Sequence, residues 1–225
     1  MGVKRTDGNL MFLYAAYLAA LSVGNLMDGK YILFLGMTLP ASMLAYPMTL
    51  LVSCVISELW TRDDAYRLVI LALSIKFLGV VLLGAAQVMT LFPDYGARHD
   101  LWGILGTSFW DVAGSFVLGA DIRFWCGSIV SFALAQPIGI WAFNVVRDRH
   151  IRRRGSPWGG RWFRYLCGSL MGEAVEVVAF LLLVFAPSWE KMWADIVQQM
   201  YARGTLTLIG LPFFYILTWR RRHDA

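Results

Sequence analysis

The chain has 225 residues, of which 58% are hydrophobic and 16% charged, against about 25% charged in a typical soluble domain; its mean hydropathy is +0.58. A soluble fold of this size has no core large enough to bury so much apolar surface. The net charge of +5 lies in short segments between apolar stretches, whereas a nucleic-acid surface needs it on one basic face with aromatic or groove-reading partners, so that class is set aside.

Windows of roughly 20 predominantly apolar residues, the length that crosses about 30 Å of hydrocarbon, fall at 10–27, 41–60, 66–91, 123–146, 164–186 and 200–219. They predict an all-α integral membrane protein, a bundle of six transmembrane helices forming one domain over residues 1–225. The first window follows Lys4 and Arg5 much as a signal peptide's apolar region would, but five further spans favour a first transmembrane helix. Lys and Arg in short loops are retained on the cytoplasmic side. Placing the N-terminus inside puts Lys4, Arg5, Arg62, Arg67, the run from Arg147 to Arg164 and Arg220 to Arg222 on that side. Both termini are therefore expected in the cytoplasm.

Between spans one and two, Gly29, Gly36, Pro40 and Pro47 interrupt an apolar stretch. Irregular backbone at membrane depth is tolerated only where protein covers it or where it lines a cavity. The segment from Asp28 to Pro47 reads either as a re-entrant or interfacial element beside a substrate path or as an ordinary periplasmic hairpin. Span four carries Gly127, Ser131, Ala135 and Gly139, and span five Gly168 and Gly172; small residues every fourth position let backbones approach closely in lipid, and packing is the favoured reading of both stripes. Trp60, Trp102, Trp110, Trp158, Trp162, Trp189, Trp193 and Trp219 lie near span ends or in loops, as an interfacial belt requires. Trp125 and Trp141 lie within span four and are candidates to face a ligand.

Ionisable groups inside hydrocarbon cost on the order of 3 kcal/mol on insertion scales, so they face a cavity or a partner. Glu58 ends span two, Lys76 lies in span three, Gln136 and Asn144 in span four, Glu173 and Glu176 in span five, and Arg203 opens span six. Lys76 is able to neutralise a glutamate and Glu58 to sit at the interface beside Arg62. Glu173 and Glu176 share one face at i, i+3 spacing, and two carboxylates exceed what a single Lys neutralises. No GxSxG, HExxH or nucleotide-binding loop occurs, which argues against an intramembrane enzyme and against a self-contained ATP-driven pump. Cys54, Cys126 and Cys167 lie singly in apolar spans and His99, His150 and His223 are scattered, so neither a disulfide framework nor a metal site is indicated.

Several fragments, in order, resemble the queuosine precursor transporter family, also called the vitamin uptake transporter family. They are Leu39-Pro40-Ala41 and Tyr46-Pro47 leading to Ile56-Ser57-Glu58, Arg123 with Ser128, Ala133-Leu134-Ala135-Gln136, Phe143-Asn144, Ala179-Phe180 and Leu211-Pro212. The resemblance implies a secondary carrier importing 7-deazaguanine bases for tRNA modification, in the inner (cytoplasmic) membrane of a bacterium. It also marks departures: aspartates common in the family are replaced by Cys54 and Gly139, the span-five aspartate appears as Glu176, a common Asn or Gln as Glu173, and a basic residue early in span six as Arg203.

The chemistry suits such a ligand. A 7-deazaguanine edge offers a ring N–H and an exocyclic amine that Glu176 accepts as a bidentate pair, Gln136 donates to the carbonyl, and Trp125 or Trp141 stacks on the ring. Glu173, Asn144, Glu58, Arg203 and Lys76 complete the candidate substrate-binding set. Two carboxylates so close disfavour double ionisation, which predicts proton-dependent uptake through Glu173 or Glu176. The alternative is a substrate-binding membrane subunit of an energy-coupling factor system, which needs a separate ATP-driven module; a purely structural membrane subunit is the third. The partners expected are a small 7-deazaguanine-like molecule, the lipid bilayer and, among the oligomeric states left open, a second copy in a homodimer; no cofactor is expected.

Overall fold

The computed structural model describes residues 6–27, 31–34, 36–89, 122–155, 159–185 and 189–219. Among them are six α-helices: α1 (Asp7–Met27), α2 (Tyr46–Leu59), α3 (Arg62–Met89), α4 (Ile122–Arg154), α5 (Arg161–Phe185) and α6 (Trp189–Thr218). Five stretches are long and apolar enough to cross a membrane: Ala41–Leu59, Arg62–Leu82, Cys126–Arg154, Arg161–Val184 and Met192–Thr218. The expected first span is also helical, as the 21-residue α1, which packs against α2 but is not among those five.

Local chemistry sets several of the ends. The Thr61 hydroxyl accepts the Asp64 backbone N–H at 3.2 Å and donates to the Asp64 carboxylate at 2.7 Å, a reciprocal cap with two acids in the first turn of α3, where the helix dipole favours negative charge. Pro47 stands at the start of α2, where its missing N–H costs nothing. Gly155 closes α4 at φ +64° with its N–H on the Ile151 carbonyl at 2.8 Å, a left-handed cap that glycine adopts without strain.

Among the described residues, the only strands lie in the segment between the first two helices. An antiparallel hairpin pairs β1 (Tyr31–Phe34) with β2 (Met37–Pro40), Phe34 opposite Met37, and Gly36 at φ +80° lies in its tight turn. A 3-10 turn, Ala41–Leu44, follows, and its Met43 packs with Ala202 of α6. The structure gives a β-hairpin whose exit is covered by protein, a geometry common to both readings of this segment; Asp28, Gly29 and Lys30 lie outside the described residues.

α2 is the axis of the bundle. Of its 14 residues only Met48 is not buried, and it touches α1, α3, α4, α5 and α6; a helix surrounded on all sides must be apolar or self-satisfied all round. The outer helices reverse the polarity of a soluble protein. Phe77, Leu78, Leu134, Leu183, Leu208 and Phe213 are exposed, whereas Lys76, Gln136, Arg164, Glu173, Glu176 and Arg203 are buried. Burying charge while exposing aromatic and aliphatic side chains is stable only where the surrounding solvent is lipid.

α4 and α5 form the most extensive helix pairing, and the two small-residue stripes meet there. A methyl group on Gly168 would lie 2.8 Å from Phe143 Cβ and 3.0 Å from the Gly139 carbonyl oxygen; one on Gly139 would lie 3.0 Å from the Gly168 carbonyl oxygen. The stripes are a packing seam, as favoured from the sequence.

Candidate functional site

Among the described residues, the buried charged side chains fall into two groups along the bundle. The first lies where α2, α3, α4, α5 and α6 approach one another. Glu176 of α5 pairs with Arg203 of α6, its Oε2 3.4 Å from Nη1. One turn along α5, Glu173 Oε1 accepts the Thr207 hydroxyl at 2.6 Å. The Arg203 guanidinium stands 5.2 Å from the Tyr46 ring centre, and Lys76 Nζ stands 5.6 Å from the same ring centre, so two cations share one aromatic ring. Lys76 also donates to Ser128 Oγ at 2.8 Å and to its carbonyl at 3.3 Å, with the Phe132 ring centre 4.9 Å away.

Gln136 joins this group from α4: its amide donates to Thr49 Oγ1 at 3.2 Å and its carbonyl accepts from Ser53 at 3.4 Å. Pro137 follows it within the helix. The fully buried Tyr17 of α1 sets its hydroxyl beside Ser53 and Thr49 without a well-aligned hydrogen bond among the described residues. Glu173 Oε2, Glu176 Oε2 and Arg203 Nε and Nη1 are likewise buried without a hydrogen bond among the described residues. Acceptors, donors and an aromatic face thus converge on one place within an apolar bundle, the usual make-up of a small-molecule site.

The second group lies about 18 Å along α5, twelve residues away at 1.5 Å per residue. Glu58 at the end of α2 receives Arg164 Nη2 on Oε1 at 2.6 Å and Arg147 on Oε2 at 3.9 Å. Arg147 also donates to the Ser57 carbonyl at 2.8 Å, and Arg161 bonds both the Thr218 hydroxyl and the Thr218 carbonyl, the latter at 2.8 Å.

Of the nine residues singled out from the sequence, the structure therefore brings Glu176, Glu173, Gln136, Arg203 and Lys76 together. Glu58 belongs to the other end and pairs with Arg164 and Arg147 rather than with Arg62, which lies beside Asp63. The Asn144 amide is spent on its own helix, donating to the Ile140 carbonyl at 2.8 Å. Trp141 is 56% exposed and faces outward. The Trp125 side chain lies outside the described residues. The aromatic ring beside the two cations is that of Tyr46, which lies in the 41–60 window next to Pro47 and was not singled out from the sequence.

Arg164 and Arg147 were equally hidden, being counted as loop charges, yet α4 runs on to Arg154 and α5 starts at Arg161. Thr207 had a signal: it falls four residues after Arg203, on the same helix face. Arg203 itself lies midway along α6 rather than at its start, because that helix begins at Trp189. Trp60, assigned to the interfacial belt, is buried in the core.

Among the described residues no group of His, Cys, Asp and Glu is arranged to hold a metal. Comparison with curated proteins and with solved structures returns no match. Residues 40–217 match the family model described as "Putative vitamin uptake transporter". The matched stretch runs from the end of the hairpin to the last turn of α6 and contains every residue of both polar groups except Tyr17 and Thr218. This polytopic membrane chain belongs to the vitamin uptake transporter family.

Proposed function

We propose that the protein imports a 7-deazaguanine base, a queuosine precursor, as an ion-coupled secondary carrier, and that Glu176 reads the amine edge of that base. The observation that carries this reading is the Glu176–Arg203 pair, buried at mid-bundle beside Tyr46 with hydrogen-bonding capacity left on both partners. A guanine-like edge presents adjacent N–H donors to a carboxylate and a carbonyl to a cation or amide. Glu176 accepts the donors, Arg203 and Gln136 supply donors for the carbonyl, and the Tyr46 face covers the ring. Stacking of a base on an aromatic side chain is worth about 1–3 kcal/mol.

The test is binding and uptake of a 7-deazaguanine base by the purified protein in liposomes with no other subunit present. Uptake there supports an autonomous carrier; binding without uptake points to a subunit that needs an energising partner. Glu176→Gln leaves a ligand donor unpaired and is expected to weaken binding about tenfold to a hundredfold, the equivalent of about 1–3 kcal/mol, at a folded yield near that of the parent. Glu173→Gln is the control. Unaltered binding in both variants would defeat the guanine-edge reading.

A further inference from the structure

The site holds two carboxylates one helical turn apart, and its guanidinium is committed to one of them. Arg203 is within ion-pair distance of Glu176. Glu173, with no exposed surface, has no cation within 4.0 Å among the described residues; its only hydrogen bond there is the Thr207 hydroxyl on Oε1, and Oε2 has none. The other groups with an electrostatic hold on it are Arg203 from α6 and Glu176 from its own helix, with Cys54 of α2 and Tyr165 of α5 also near. None of these supplies a second positive charge. An ionised carboxylate so placed would carry its charge in a low-dielectric interior, offset by one neutral donor and by an arginine already paired with Glu176, a costlier state than the neutral acid.

From this division of labour we infer that Glu173 is the proton-binding group of the carrier: the proton bonds to Oε2, the oxygen without a donor, while Oε1 keeps the Thr207 hydrogen bond. Protonation forms one O–H bond and cancels the charge; release to water on the other side regenerates the carboxylate. The link to transport rests on the function proposed above. A ligand that draws Glu176 and Arg203 onto itself changes the field at Glu173, so proton occupancy follows ligand occupancy. The protonated carboxyl itself does not depend on which ligand is carried.

Infrared difference spectroscopy of the purified protein reads the proton directly. At neutral pH a carboxylic-acid C=O band is expected in the parent and in Glu176→Gln, and is lost in Glu173→Gln. In Thr207→Val it moves to higher frequency, because the hydrogen bond to the carbonyl oxygen is gone. A parent protein without the band, or a band that survives Glu173→Gln, overturns the assignment. In proteoliposomes, uptake by Glu173→Gln is expected no longer to follow an imposed pH gradient that drives uptake by the parent. Parent uptake that ignores the pH gradient and follows a sodium gradient overturns the coupling role. If the band behaves as expected but no 7-deazaguanine base binds, the substrate reading falls and the proton site stands.

Discussion

At Glu58 two arginines converge, one on each carboxylate oxygen, and the Arg164 side chain has no exposed surface. Buried pairs of this kind add little net stability over a well-packed apolar substitute, but removing one partner strands the other charge, at about 3–5 kcal/mol. Glu58→Ala is therefore expected to lower the melting temperature in detergent by an amount equivalent to that loss. Arg62→Ala is its control: the Arg62–Asp63 pair is 68% and 74% exposed, and surface pairs contribute about 0–1 kcal/mol. A Glu58→Ala protein that melts with the Arg62→Ala protein would show that this cluster does not hold the end of the bundle together. Its residues were only half legible in the sequence. Glu58 stood out because it ended an apolar window, whereas Arg164 and Arg147 looked like ordinary positive loop charges, since nothing in a linear pattern shows that an arginine at a helix end turns inward to meet an acid on another helix.

Helices were the most legible level. All six expected windows fall on helical segments, five of them long and apolar enough to cross a membrane, and the small-residue stripes of spans four and five proved to be facing halves of one contact. The lengths were less legible. α4 and α6 extend beyond their windows into polar sequence, where intrahelical hydrogen bonding continues after the apolar signal has stopped, and this moved Arg203 from a helix end to a helix middle. The hairpin at Tyr31–Pro40 had only its turn glycine and its prolines to announce it. For the α4–α5 contact the expectation is sharp. In Gly168→Ala the new methyl meets Cβ and backbone atoms that cannot swing aside, and overpacking of this kind costs about 1–3 kcal/mol. Gly8→Ala, where nothing lies within 4 Å, serves as the comparison in the same thermal assay, and equal melting temperatures would contradict the packing described.

Across the whole molecule, polar groups lie inside and apolar ones outside, so the bilayer supplies what water supplies to a soluble protein. Orientation rests on Lys and Arg that stay at the surface. Arg147, Arg161 and Arg164 are occupied within the bundle, but Arg149, Arg152, Arg153 and Arg154 remain exposed at the end of α4, which by the positive-inside rule makes that end the expected cytoplasmic one. Arg153→Cys is expected to resist an impermeant thiol reagent in intact cells and to react after permeabilisation; strong labelling of intact cells would invert the topology.

The glycine contact between α4 and α5 has a mechanical consequence. Where backbone meets backbone there are no side chains to act as bearings, so neither helix can turn about its axis or slide along the other without driving a carbonyl into an α-carbon. The two longest contacting surfaces of the bundle therefore move as one lever. Along it lie the Glu58 cluster, through Arg147 and Arg164, and Glu176, about 18 Å apart along α5. α6 contributes Arg203 and Thr207 from outside that lever, so the relative movement of α5 and α6 decides whether the two glutamates keep their partners.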